Sequence, residues 1–348
     1  MSQYPTLNAL RSPRKRMVPV TKVLITSREV ARFKARFLDV LEGEGFTPVY
    51  PAPGPLNQPT ESELRAALHG VEAVVAGSEP YTEKIFNDFP LLRVIARVGV
   101  GYDAVDLAAA TARGIAVTIA PNTNHGSVAE HTWALILGLT RHLTIRHEAV
   151  RNGGWPLHMS LPVRGKTLGI AGLGRIGKAV AVRAAAFDMR LLAYEPFPDQ
   201  AYCIAHHITL VSMDQLLAES DFLSLHLPFT PATRHVINRD SLAKMKPEAF
   251  LINTSRGGLV CEADLIEALR AGKLAGAGLD VFEREPPEPN NPLFGLKNVL
   301  LTPHAAGVDV QSLGDMARSA AEAVASLHRG RWPTEKIVNP DVRSLFKW

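Results

Sequence analysis

Residues 172–180 read GLGRIGKAV, and two phosphate-binding patterns overlap in them. Gly172, Gly174 and Gly177 fit G-x-G-x-x-G, the dinucleotide fingerprint. Gly172, Gly177 and Lys178 fit most of G-x-x-x-x-G-K-[ST], the mononucleotide P-loop. The P-loop needs a hydroxyl after the lysine to hold Mg²⁺, and this chain has Ala179 there. The dinucleotide reading needs a strand before the glycines and a helix after them. The apolar run Thr167–Ala171 and the helical pattern Arg175–Phe187 supply both. In that reading Gly172 makes the tight turn, Gly174 lets a pyrophosphate approach the backbone, and Gly177 lets helix and strand pack. A helix N-terminus then offers unpaired N–H groups to the phosphates.

Outward from the loop, the next strand candidate, Arg190–Tyr194, ends beside Glu195, which lies 195 − 172 = 23 residues past the first glycine. An acid roughly 20 residues on is what binds the ribose hydroxyls in such folds. A carboxylate there repels a 2′-phosphate, and Pro196, Phe197 and Pro198 bring no cation, so NAD is favoured over NADP. Lys178 then reads as a solvated first-turn residue, and Arg175 as the side chain near the pyrophosphate.

Short β-rich runs alternate with helical patterns throughout, which predicts an α/β fold with parallel sheets. The first series is Lys22–Thr26, Pro48–Tyr50, Val71–Ala76, Arg93–Arg97 and Ala116–Ala120. The second is Thr167–Ala171, Arg190–Tyr194, Ile208–Leu210, Phe222–His226, Ala249–Asn253, Gly278–Val281 and Val299–Thr302. Between them, Ser127 to Glu130 reads as an S-x-x-E capping box opening one long spacer helix, and Ser212 to Gln215 as a second cap. The proline-rich Glu283–Leu293 breaks the pattern. A last helix, about Gln311 to His328, is expected to return to the first domain.

The chain has 348 residues, 46% apolar and 21% charged, which fits two globular domains. No apolar run approaches the roughly 20 residues of a membrane helix; the longest is Trp133–Leu139. The N-terminus carries Arg11, Arg14, Lys15, Arg16 and Lys22 with no apolar segment behind them, so it is not a secretory signal; a frayed basic arm or a transit peptide are the competing readings. Setting those five charges aside takes the net +4 to 4 − 5 = −1, so the body shows no basic surface for nucleic acid. Two cysteines, Cys203 and Cys261, suit a reducing cytoplasm and give neither a disulfide framework nor a zinc cluster. No H-E-x-x-H or G-x-S-x-G is present, and no metal site is expected.

Three segments at strand ends carry groups suited to chemistry: LINTSRGG (Leu251–Gly258) with Arg256, GLDVFEREPP (Gly278–Pro287) with Asp280 and Glu285, and LLTPHAAG (Leu300–Gly307) with His304. Open α/β sheets bind ligands at the carboxyl ends of their strands. An arginine fork, a carboxylate and a histidine arriving there point to a carboxylate clamp plus an acid–base group.

These residues, with RVGVGYDAVDL, PNTNHGSVAEHTWALIL and HLPFTPATRHVI in order along nearly the whole chain, resemble the D-isomer-specific 2-hydroxyacid dehydrogenase family. The resemblance implies two doubly wound parallel-sheet domains: a Rossmann NAD-binding domain and a flavodoxin-like substrate domain, with a cleft between. The expected boundaries are 1–119 for the first part of the substrate-binding domain, 120–304 for the NAD-binding domain and 305–348 for the returning helix and tail. It implies that Arg256 holds the substrate's carboxylate and keto oxygen, that His304 is the acid–base group, and that Glu285 favours its imidazolium form. It implies that Val100 and Gly101 bind the substrate carboxylate through their backbone. The cofactor set it implies is Gly172, Gly174, Arg175, Ile176, Gly177, Glu195, Pro228, Thr254 and Asp280, with Asp280 on the nicotinamide carboxamide. A cytoplasmic homodimer is implied, with the helix from Ser127 in the dimer contact. The motif wording is most like D-3-phosphoglycerate dehydrogenase, with glyoxylate/hydroxypyruvate reductase next. A non-enzymatic corepressor-like role is the alternative from another class, and the intact Arg256, Glu285 and His304 argue against it.

Two departures stand out. The ribose acid, usually Asp in the family, is Glu195. Where the phosphoglycerate enzymes often carry an arginine, this chain has Gly77-Ser78-Glu79 and no cation. With the sequence ending at Trp348, no C-terminal regulatory domain is expected.

Overall fold

A computed structural model describes residues 21–52, 59–157 and 159–348. The arm with Arg11, Arg14, Lys15 and Arg16 lies outside the described residues. The chain forms two compact units: one comprises the described residues up to Ala120 together with Ala317–Trp348, the other Pro121–Met316. The change back to the first unit therefore falls after Met316 rather than after residue 304. The helix Val310–His328 runs unbroken across that point, so its first turns stay with the second unit.

The first unit is built on β1 (Thr21–Ile25), β2 (Phe46–Val49), β3 (Val71–Ala76), β4 (Val94–Arg97) and β5 (Ala116–Thr118). They form a five-stranded sheet in the order β2-β1-β3-β4-β5, with every pairing parallel. That is the flavodoxin-like order. Strands covered on both faces need near-continuous apolar runs, and β3 and β4, VEAVVA and VIAR, supply them apart from Glu72 and the terminal Arg97. Leu24, Val74, Ile95 and Val117 pack with Leu64, Ile85 and Phe86 from the helices. Edge strand β5 is closed by the C-terminal tail: Val338 N donates to Val117 O at 3.0 Å, and Asn339 Oδ1 accepts from Val117 N at 2.9 Å.

The second unit holds β6 (Thr167–Ala171), β7 (Arg190–Tyr194), β8 (Ile208–Leu210), β9 (Phe222–Leu225), β10 (Phe250–Asn253), β11 (Gly276–Leu279) and β12 (Val299–Leu301). Its seven-stranded parallel sheet runs β12-β11-β10-β9-β6-β7-β8, the Rossmann order with one strand added. The direction of winding reverses between β6 and β9, so the ligand crevice of the fold lies at their carboxyl ends.

All twelve strand candidates form, with ends shifted by a residue or two; the largest slip is at Gly278–Val281, where the strand is Gly276–Leu279. Two helix expectations are corrected. The helix predicted from Ser127 begins at His125, with Asn124 at its N-cap, so Ser127 is already inside it and caps nothing. The Ser127 hydroxyl instead donates to Ala306 O at 2.8 Å, and Glu130 pairs with Arg183 at 3.0 Å. Nor is the helix one long spacer: it stops at Thr140, and Leu143–Arg151 forms a second helix. Thr140 Oγ1 bonds back to Ile136 O at 2.9 Å, and His142 takes a left-handed φ of 52°, which ends the first helix. The Ser212 cap forms as read, accepting from Gln215 N at 3.2 Å.

Candidate active site

The glycine loop leaves β6 at the switch point. Gly172 has φ 96°, and a Cβ on it would fall 2.6 Å from His226 O at the end of β9. A Cβ on Gly177 would lie 2.2 Å from Gly172 O, so only hydrogen there lets the helix rest on the loop. Gly174 differs: a Cβ would meet nothing within 4 Å, which leaves an open approach to the backbone. Gly174 is also the N-cap of the helix Arg175–Ala185, with no side chain capping it. The amides of Arg175, Ile176 and Gly177 have no intrahelical acceptor and face a site for negative charge. This cradle fits the pyrophosphate of a dinucleotide.

Glu195, just past β7, lies against the same loop: Oε2 accepts from Leu173 N at 2.8 Å and Oε1 from Phe197 N at 3.1 Å. Arg175 is exposed at the helix start. Lys178 is taken up elsewhere, with Nζ 2.8 Å from Asp199 Oδ2 and 4.3 Å from the Tyr202 ring centroid, so it is no phosphate-gripping lysine. Ile176 packs on the core beside the loop. Pro228 is exposed, and its carbonyl accepts from Thr233 Oγ1 at 2.7 Å. Thr254 is buried, with its hydroxyl 3.0 Å from that of Thr132.

The acid–base candidates meet at the carboxyl edge of β10, β11 and β12. After β10 the chain turns on its own side chains: Ser255 N donates to Asn253 Oδ1 at 3.0 Å, Asn253 Nδ2 donates to Arg256 O at 2.9 Å, and Ser255 Oγ donates to Leu227 O at 2.7 Å. These bonds fix the backbone that carries Arg256. Gly257 follows, and a Cβ on it would fall 1.9 Å from Phe282 C, so this loop and the one after β11 touch backbone to backbone. Phe282 N in turn donates to Glu285 Oε1 at 3.0 Å, and Glu285 Oε2 lies 2.7 Å from His304 Nδ1. Burial pushes the Glu285 carboxyl up. Its bond to His304, the His304 charge, the Phe282 amide and the charge of Arg256 outweigh that and hold it below its ordinary value. With Nδ1 on Glu285, Nε2 of His304 is left for a second partner.

The structure also shows what holds the turn at His304, and it places two histidines the sequence reading missed, His131 and His226. His304 has a left-handed φ of 52°. The turn is held by Asp280, fully buried, whose Oδ1 accepts from Thr302 Oγ1 at 2.6 Å and Ala305 N at 2.9 Å, and whose Oδ2 accepts from Ala306 N at 2.8 Å. These three donors fix the carboxylate on the turn that carries His304. His131 Nε2 joins this group, 2.9 Å from Thr302 Oγ1 and 3.5 Å from Asp280 Oδ1. Nothing local in the sequence signals a contact across 171 positions. Next to the glycine loop, His226 shares a proton with Ser224 Oγ at 2.8 Å, while its Nδ1 is buried without a partner. Burial pushes this imidazole down to about 4.

In the first unit, Val100 and Gly101 follow β4, and Arg97 Nε donates to Gly101 O at 3.0 Å. Among the described residues no group of three or more His, Cys, Asp or Glu could hold a metal ion. No helix among them is long and apolar enough to cross a membrane.

A dinucleotide cradle at the switch point and a carboxylate–histidine pair beside an arginine, on one sheet edge, define a nicotinamide-dependent oxidoreductase. The chain belongs to the D-isomer specific 2-hydroxyacid dehydrogenase family: residues 133–306 match that family's NAD binding domain. It is 41% identical to a glyoxylate reductase of Korarchaeum cryptofilum over 271 residues, 76% of this chain and 81% of that one. It is 39% identical to a D-3-phosphoglycerate dehydrogenase of Archaeoglobus fulgidus over 283 residues, 80% of this chain, and spans about half (54%) of that relative's length. Among solved structures it resembles the D-lactate dehydrogenase of Aquifex aeolicus in complex with NAD and lactic acid, with TM-score 0.80, 30% identity, and coverage of 91% of this chain and 99% of that one. The protein is an NAD-dependent oxidoreductase acting on a CH–OH group.

Proposed function

We propose that the protein interconverts a D-2-hydroxy acid and its 2-keto acid, with a substrate of the D-3-phosphoglycerate dehydrogenase type. The observation that carries the reaction is the Glu285–His304 pair at 2.7 Å beside Arg256. NAD supplies the hydride acceptor, and NADH the donor. The loop at Gly172, Gly174, Arg175, Ile176 and Gly177 takes its pyrophosphate and Glu195 its ribose hydroxyls, with Pro228 and Thr254 completing the pocket. Arg256 holds the carboxylate and keto oxygen of the substrate with its planar fork. His304 Nε2 gives a proton to the keto oxygen in reduction and takes it back in oxidation, while Glu285 stabilises the imidazolium. Val100 and Gly101 bind the carboxylate through backbone amides. Asp280 holds the nicotinamide carboxamide, and the same carboxylate fixes the turn that carries His304.

The second reading, glyoxylate or hydroxypyruvate reduction, is favoured by the glyoxylate reductase relative, of which the chain covers 81%. It is favoured too by the turn Gly77-Ser78-Glu79 after β3, which brings no cation for a substrate phosphate. A panel of glyoxylate, hydroxypyruvate, pyruvate and 3-phosphohydroxypyruvate with NADH and NADPH decides. Turnover of 3-phosphohydroxypyruvate well above the others supports the first reading, and its absence the second. NADPH outperforming NADH overturns the role of Glu195. We further propose a cytoplasmic homodimer: both cysteines are free thiols, and the second unit exposes apolar side chains at Leu143, Trp155, Leu157 and Met159.

A further inference from the structure

The first unit holds a buried charged network of its own at the carboxyl edge of β1, β3 and β4, which are neighbours in the sheet. Glu79, in the turn after β3, is 1% exposed. Its Oε1 accepts from the Thr26 hydroxyl at 2.5 Å, the Tyr81 hydroxyl at 2.7 Å and Gly77 N at 3.1 Å. Its Oε2 is buried with no hydrogen-bond partner. Thr26 sits just past β1 and also accepts from Gly77 N at 2.9 Å, so one carboxylate ties two strand ends together. Arg97 ends β4, is 6% exposed, and turns Nε onto Gly101 O at 3.0 Å. The two charges flank one hydroxyl. Burial and the neighbouring Glu79 raise the Tyr81 phenol well above its ordinary value, while Arg97 acts on it in the opposite sense. A buried guanidinium is strongly unfavourable unless an opposite charge lies close by. Glu79 is an opposite charge on the same Tyr81 hydroxyl, and three donors fix its carboxylate.

We propose that Arg97 and Glu79 are positioning residues for the Val100–Gly101 turn: Glu79 balances the buried Arg97, and Arg97 holds the Gly101 carbonyl so that the amides of the turn face a carboxylate. This rests on the reading of Val100 and Gly101 as the carboxylate-binding backbone. It predicts an effect on substrate affinity and none on the cofactor, whose loop belongs to the other unit.

Steady-state kinetics with the best 2-keto acid of the panel, together with NADH titration and thermal melts, test it. Arg97→Lys keeps the positive charge but loses the guanidinium fork that bonds Gly101 O. It should raise KM for the 2-keto acid about tenfold, the equivalent of one hydrogen bond, with kcat within about twofold. The Kd for NADH should not change. Glu79→Gln keeps an acceptor for Thr26, Tyr81 and Gly77 but removes the charge, and should give the same split. If Glu79→Gln fails to fold, Arg97→Lys decides alone. A wild-type KM in Arg97→Lys overturns the proposal, as does a lowered melting temperature with KM unmoved, which marks a purely structural pair. A wild-type protein inert to every 2-keto acid overturns the dehydrogenase reading and this one with it. An active wild type with unshifted variants overturns the positioning role alone.

Discussion

At His304, Nδ1 lies on Glu285, which leaves Nε2 for a second partner. Replacing Glu285 by Gln keeps the size of the side chain and removes the carboxylate charge beside His304. A reduction in kcat/KM for keto-acid reduction of about 10²-fold is expected, the lower end of what a positioned acid–base group contributes. The Glu285 carboxyl is held low in the folded protein, so its contribution to stability is complete above the ordinary carboxylate range. That contribution is lost as the pH falls through the lowered value. The stability gap between wild type and Glu285→Gln in urea titrations should therefore be present at pH 7 and close toward pH 3. A gap that persists unchanged at pH 3 would show the charge is not the cause. His226 gives a second pH signature in a different window. Burial takes its imidazole from 6.5 to about 4 in the folded state. The unfolded chain binds that proton near 6.5 while the folded chain resists it, so stability is intact above 6.5 and falls toward pH 4. The loss attributable to this residue is about 2–3 kcal/mol. Urea titrations of wild type and His226→Gln, compared from pH 7.5 to 4, should show the difference shrinking by that amount.

At the scale of elements, the site depends on two loops in backbone contact. Gly257→Ala would place a methyl 1.9 Å from the Phe282 carbonyl carbon, and neither loop can yield without loosening the Phe282 N bond to Glu285. A loss of about 3 kcal/mol of stability is expected, at the upper end for overpacking, with a larger fractional fall in kcat than in NADH affinity. Denaturant titration and NADH fluorescence titration on the same preparation check both. The sequence shows why these loops exist but not that they touch. Strands buried on both faces announce themselves as apolar runs, so all twelve were legible, and the G-x-G-x-x-G turn with its acid at Glu195 was legible because the phosphate dictates the spacing. The segments of Arg256, Glu285 and His304 stood out as candidates because they follow such runs, and their roles came from the family resemblance; the structure brings Glu285 and His304 into contact. The break at His142 was not, because TWALILGLTRHLTIRHEAV keeps a helical pattern straight through it. Its cause is a single residue in the left-handed region, which periodicity cannot show. Ser127 misled for a related reason: S-x-x-E marks a cap only where the chain enters the helix, and here it had entered at His125. Asp280 lay in plain view, but its inward turn toward Thr302, Ala305 and Ala306 follows from the adjacency of β11 and β12, a long-range fact.

At the scale of the whole molecule, each unit has its own apolar core, and the second also leaves apolar surface in water. Scattered exposed apolar residues are ordinary, whereas a concentration of them is what the proposed dimer would bury. Trp155, Leu157 and Met159 are 83%, 93% and 95% exposed and follow directly on the helix Leu143–Arg151, which exposes Leu143, Ile145 and Val150. Side chains this exposed contribute little to the fold of their own chain, so replacing them separates assembly from folding. On the proposed dimer, the triple variant Trp155→Ser, Leu157→Ser, Met159→Ser should keep the circular dichroism of the wild type while its mass by light scattering falls from two chains to one. Its melting temperature should also lose the dependence on protein concentration that a dimer shows by mass action. The same patch seen by both partners is what a two-fold interface requires, so a single segment suffices to disrupt it. A wild type that is already one chain at micromolar concentration would assign the exposed segment to something other than a second copy. A triple variant that stays a dimer would move the interface to another face of the unit.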